Sequence, residues 1–227
     1  MTGTKTLGAK TIGVILSGCG VYDGSEIYET TLTLLALSQR GLNAQIFAPN
    51  ENQMHVIDHL QGQPSQENRN MLVESARIAR GQISPLEEAD ARKLDGIIVP
   101  GGFGAAKNLC NYATAGVELE VLPMLATLLK NTHEQQKPLG FICISPIMIP
   151  ALFGPGVRAT LGAKGDDASA YVKMGGEHLE CAVEQIVYDE NHRILTTPAY
   201  MLAQNIAQAH IGIDTLVNRM ADLLLDA

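Results

Sequence analysis

Tryptophan is absent and only 4% of the 227 residues are aromatic, which leaves no ladder of rings on which single-stranded nucleic acid could stack. Cationic side chains are in the minority, 16 Lys and Arg against 24 Asp and Glu, for a formal net charge of -8. A surface of that sign repels phosphate backbones and offers no polybasic strip to an anionic membrane. No nucleic-acid and no membrane partner is therefore expected. No apolar run approaches the roughly 20 residues that span a bilayer, and residues 1–10 lack the apolar centre of a secretory signal. The expected location is cytoplasmic. Cysteine is sparse, and Cys19, Cys110, Cys143 and Cys181 form no CxxC pair and have no histidine at ligand spacing. That fits neither a zinc site nor a disulfide framework, so reduced thiols and no metal are expected. Fixed-period repeats and low-complexity tracts are also missing.

What is present is the composition of a globular protein, 46% hydrophobic and 18% charged with 22 glycines and 10 prolines. The length suits one α/β domain over residues 1–227. Residues 11–16 are a continuous β-branched apolar run, the form taken by a parallel strand covered on both faces. The turn-rich stretch 17–24 follows, then a helical pattern that stops at Gly41, then a second strand over 43–48. Residues 51–95 show no clear strand, and the spacing of Met71, Leu72, Ala76 and Ile78 predicts a helical insertion. A third strand over 96–100 runs into Gly101-Gly102-Phe-Gly104, where backbone can approach a ligand closely. A helix is predicted over 117–130, and a hairpin brackets residues 189–192. Two helices, 201–208 and 213–225, close the chain. Strands alternating with helices imply a mainly parallel sheet with ligands at the carboxyl ends of its strands.

The sharpest chemical signal is Pro138-Leu-Gly140-Phe-Ile-Cys143-Ile-Ser145-Pro146, read as strand, abrupt turn and helix. A cysteine there projects from the sheet edge toward the amides that open the next helix, a setting that lowers a thiol pKa and stabilises an oxyanion. Cys143 is the candidate nucleophile. Gly18-Cys-Gly20-Val-Tyr-Asp23 has aspartate where a dinucleotide fingerprint needs its third glycine, and no lysine follows Gly104 as a phosphate loop requires, so neither nucleotide reading holds.

Three blocks together, 99–108, 138–146 and 18–29, resemble the PfpI branch of the class I glutamine amidotransferase-like superfamily. Residues 18–29 and 196–205 are similar to its enhancing-lycopene-biosynthesis (ElbB-like) branch. The resemblance implies a flavodoxin-like three-layer sandwich, α/β with helices on both faces of a mainly parallel sheet, and a homodimer. It also implies glyoxalase chemistry without a cofactor, converting glyoxal to glycolate, or deglycation of glycated amines. By position, Cys143 would be the nucleophile and the Gly102 and Ile144 amides the oxyanion hole. Glu29, or its neighbour Glu26 on the same helical face, would assist. The histidine that many relatives carry after the elbow has no counterpart in residues 158–164, which leaves His178 as the candidate third member. His192 and His210 read as surface residues. His178-Leu179-Glu180 also matches the H-x-E of true glutamine amidotransferases. The alternatives are thus a glutamine hydrolase, or a redox sensor or regulatory binding protein built on the same thiol.

Overall fold

The computed structural model describes residues 10–225. Residues 1–9 and 226–227, and with them most of the stretch read as carrying no secretory signal, lie outside the described residues. The apolar run after Lys10 forms β1 (Thr11–Ile15), and then come α1 (Ile27–Gln39) and β2 (Asn43–Ala48). Next are β3 (Val56–Asp58), β4 (Gln63–Ser65), α2 (Met71–Ile78), β5 (Ser84–Pro85) and β6 (Gly96–Val99). The chain continues through α3 (Phe103–Lys107), α4 (Tyr112–Ala115), α5 (Pro123–Glu134), β7 (Leu139–Ile142) and α6 (Ile149–Phe153). It ends with β8 (Arg158–Ala159), α7 (Asp166–Lys173), β9 (Glu177–His178), β10 (Val187–Asp189), β11 (Ile194–Thr197) and α8 (Ile206–Leu225).

Seven strands form one sheet in the order β10-β11-β7-β6-β1-β2-β5. Every pairing in it is parallel except β10 with β11. Alternate side chains of each strand go to opposite faces. Ile97 and Val99 of β6 join Phe141, Leu125 and Leu129 in one core. Ile98 joins Val14, Leu37, Leu216 and Met220 in the other. Each fully buried aliphatic contributes about 1.5–3 kcal/mol, and the two cores clamp the sheet between α1 with α8 on one face and α5 on the other. This is the mainly parallel α/β sandwich that the alternation of strands and helices implies.

Three expectations need correction. Residues 51–95 are mixed rather than helical: β3 and β4 pair as an antiparallel hairpin, α2 is the one α-helix, and β5 extends the main sheet. Strands of two or three residues with polar members leave no period-2 signal. The helix predicted from residue 117 starts at Pro123, because Gly116 turns the chain at φ +57° and proline, without an N–H, favours the first helical turn. The two closing helices are one, α8. It begins at Ile206 and runs through Gly212, where a Cβ would lie 2.4 Å from the Val183 carbonyl oxygen and 2.6 Å from Thr197 Oγ1. Among the described residues no helix is long and apolar enough to cross a membrane.

Candidate active site

β7 ends at Ile142, and Cys143 takes φ +63°, a left-handed backbone that a non-glycine residue adopts at a cost of order 1–3 kcal/mol when its surroundings enforce it. Here they do. The Cys143 amide donates to the Thr197 carbonyl at 2.9 Å, and the Ser145 hydroxyl accepts from the Ile142 amide at 2.9 Å while donating to the Val99 carbonyl at 2.8 Å. One serine thus ties the elbow to β6. The backbone amides of Gly102 and Ile144, the two expected to face an oxyanion, both pull the pKa of the Cys143 thiol down.

The glycine loop after β6 is pinned to the start of α1. The Glu26 amide donates to the Gly101 carbonyl at 3.0 Å, and the Gly104 amide to the Gly24 carbonyl at 2.9 Å. Gly102, at φ +92°, has no space for a side chain, since a Cβ would lie 2.4 Å from both the Glu26 nitrogen and the Gly24 oxygen. The three sequence blocks thus meet at one sheet edge.

The two glutamates divide their work. Glu26 is the N-cap of α1, its Oε2 accepting from the Glu29 amide at 2.6 Å. Burial raises its pKa while the amides of Glu29, Tyr28 and Ile27 hold it down. Glu29, one turn on, is 0% exposed. Its Oε2 accepts from the Gly101 amide at 2.9 Å and its Oε1 from the Tyr200 amide at 3.2 Å, and the Cys143 thiol lies beside it against Gly101. Desolvation first, and the Glu26 charge second, push Glu29 up to about 8. Cys143, 7% exposed, moves the same way. Burial and the Glu29 charge raise its thiol above the ordinary range against the pull of the two amides, so the expected lowering is overturned: desolvation outweighs the two amides. Near neutral pH both groups hold their protons. Once Glu29 ionises, a single proton lies between sulfur and carboxylate.

Cys143, Glu26, Gly102 and Ile144 line a cavity of about 400 Å³, walled by Phe103, Tyr200 and Met201 among others. A cleft of about 830 Å³ between residues 86–93 and α5 is larger, but among the described residues no cysteine lines it. Among the described residues no group of three or more His, Cys, Asp and Glu is placed to hold a metal ion. Gly101 measures how tightly the pair is held, for a Cβ there would lie 2.6 Å from Glu29 Oε2 and 2.9 Å from Cys143 Sγ. Gly101→Ala is expected to cost about 1–3 kcal/mol in urea unfolding. A variant as stable as the parent would mean that the pair has room to part.

No family model matches the chain. Over 225 residues it is 41% identical to human "Glutamine amidotransferase-like class 1 domain-containing protein 3, mitochondrial", a match covering 95% of this chain and 84% of the relative. The chain belongs to the class 1 glutamine amidotransferase-like family. A family structure from Ehrlichia chaffeensis, an isoprenoid biosynthesis protein with an amidotransferase-like domain, is 37% identical, with a TM-score of 0.89 over 95% of this chain and 100% of that one. Glyoxalase III from Candida albicans, at 14% identity and a TM-score of 0.63 over 93% and 97% of the two chains, shares the fold. The human relative and those from Rattus norvegicus and Danio rerio are named mitochondrial, which overturns the expectation of a cytoplasmic location. An acidic net charge carries no mark that separates the two compartments.

This amidotransferase-like chain does not bring His178 to the cysteine. His178 lies in the two-stranded sheet of β8 and β9, where its Nε2 accepts from the Leu161 amide at 3.1 Å. Burial lowers its pKa, so the ring is neutral and spent on backbone. His192 Nδ1 lies 3.3 Å from His133 Nε2 in a stacked pair. Among the described residues no histidine hydrogen-bonds Cys143 or Glu29. Two partners escaped the sequence reading: the Tyr200 amide, although it stands inside the 196–205 block, and the Ser145 hydroxyl, which the elbow motif itself contains.

Proposed function

We propose that the chain is a glyoxalase of the ElbB-like kind, converting glyoxal and water to glycolate without a cofactor. One observation carries this reading: a buried thiol and a buried carboxyl lie together against Gly101 and shift each other's pKa, at an elbow where the Gly102 and Ile144 amides pull the thiol down. Ionised Glu29 takes the Cys143 proton as sulfur bonds to one aldehyde carbon, and the proton passes to the new oxyanion held by the Gly102 and Ile144 amides. Glu29 then carries the hydrogen of that carbon, as a proton, to the oxygen of the second carbon, giving an enediol. A proton returning from the first hydroxyl to the second carbon leaves a glycolyl thioester, and water cleaves it to glycolate and the free thiol. The fold shared with glyoxalase III is compatible with this chemistry, which the Cys143 and Glu29 pair would perform.

A redox sensor needs an exposed, low-pKa thiol, which the buried Cys143 is not; the adjacent Glu29 carboxyl, able to take the thiol proton as sulfur attacks, supports catalysis. Glutamine hydrolysis would draw on His178, which is occupied elsewhere. The test is glycolate release by purified protein with metal and glutathione excluded. The rate is expected to rise with pH on passing about 8, as Glu29 loses its proton, and to level above it. A rate absent throughout, or falling between pH 7 and 9, would sink the proposal.

A further inference from the structure

The cavity that holds Cys143 is too large and too acidic for glyoxal alone. Its volume of about 400 Å³ lies in the range of roughly 300–1,000 Å³ found for pockets that hold far larger ligands, and glyoxal has four heavy atoms. Among the described residues no lysine, arginine or histidine lines it, whereas two carboxyl groups do, Glu26 and Asp167. Lys107, at the end of α3, is committed to the Tyr22 carbonyl at 2.8 Å and to the face of Phe103.

Asp167 stands in the first turn of α7, and the mechanism does not use it. Its Oδ1 accepts from the Tyr112 hydroxyl at 2.7 Å. Burial, and then Asp167 itself, raise the pKa of Tyr112, so the phenol remains a donor and fixes the carboxylate in place. Among the described residues Oδ2 accepts no hydrogen bond. A half-buried carboxylate is therefore held at the cavity wall with one oxygen free, beside apolar surface from Phe103, Ile144 and Met201.

Building on the glyoxalase reading, we infer that Asp167, oriented by Tyr112, is a specificity residue: it admits small carbonyl compounds whose non-reacting part is an ammonium or other cationic group and turns away those bearing a carboxylate or phosphate. A free carboxylate oxygen in a partly desolvated wall attracts a cation and repels an anion more strongly than it would in water.

The experiment compares the rates at which ethylammonium and ethylsulfonate methanethiosulfonates label Cys143, read by peptide mass so that Cys19 and Cys181 do not interfere. Relative to the same ratio on a small neutral thiol, cation over anion is expected to be favoured at least ~10-fold at low salt and less so at high salt. Asp167→Asn should cut that preference several-fold, Asp167→Glu should restore it, and Tyr112→Phe should fall between. A ratio equal to that of the free thiol, a ratio unmoved by Asp167→Asn, or no labelling of Cys143 by either reagent overturns the inference. Labelling is read without turnover. A preference that Asp167→Asn removes, in a protein that makes no glycolate, strikes down the glyoxalase reading and leaves the charge filter. Glycolate formation with an unmoved ratio does the reverse.

Discussion

Replacing Cys143 by alanine is expected to lower glycolate formation by at least ~10³-fold while leaving the protein folded. Alanine keeps a Cβ and meets the left-handed backbone at φ +63° at much the same cost as cysteine. The elbow retains its anchors, the Thr197 carbonyl and the Ser145 hydroxyl. Glu29 keeps both amide donors, Gly101 and Tyr200, and loses only the thiol. The melting temperature should therefore stay within a few degrees of the parent. A rate loss with unchanged melting is a loss of chemistry. Equal rates would show that the sulfur takes no part.

Replacing Glu29 by glutamine is expected to act on rate and stability in opposite directions. Without a carboxyl to take the thiol proton and move it between carbons, turnover should fall by roughly 10²–10⁴-fold. Stability follows from the raised pKa. Glu29 holds its proton in the native state up to about 8, against 4.5 for an ordinary glutamate. Between those values the unfolded chain has ionised and the native state has not. Stability is therefore fully present below the lower value, falls as pH rises toward 8 and is level beyond. The loss is on the order of 5 kcal/mol. Glutamine cannot ionise and escapes it, although one of the two amides then faces an NH2 group, at a cost of about 1–3 kcal/mol. Urea unfolding at pH 5 and pH 9 separates the effects: the difference between variant and parent should shift toward the variant by several kcal/mol as pH rises. A difference that does not change with pH would mean that Glu29 ionises in the native state as it does in water.

The elements most legible in the sequence were those whose burial is uniform. β1, β6 and β7 are apolar on both faces, so their runs stand out, and turn residues bracket them. The elbow was legible because a strand that must stop at a cysteine, with serine and proline behind it, has few other readings. The hairpin of β3 and β4 was not, since half of its residues face solvent. The continuity of α8 through Gly212 was not legible either, because the reason for that glycine, the approach of α8 to Val183 and Thr197, lies in residues distant along the chain. The choice between Glu29 and Glu26 also needed the structure. Both belong to one helical turn, and only the position of the Gly101 loop decides which of them caps α1 and which faces sulfur. The direction of the thiol pKa was misjudged for a related reason: elbow amides are visible in a motif, whereas desolvation is a property of everything packed around it. Tyr112 and Asp167, 55 residues apart, carried no shared signal at all.

The most direct test is to stop the reaction with acid during turnover of glyoxal and map the cysteine peptides by mass. A glycolyl group is predicted on Cys143 of the parent protein, where acid preserves the thioester, and on none of the other three cysteines. In the Glu29→Gln variant only the reversible hemithioacetal forms, and it is lost on dilution. Glycolate produced at the full rate while Cys143 remains unmodified, or a glycolyl group carried by another cysteine, would contradict a reaction centred on the Cys143 and Glu29 pair.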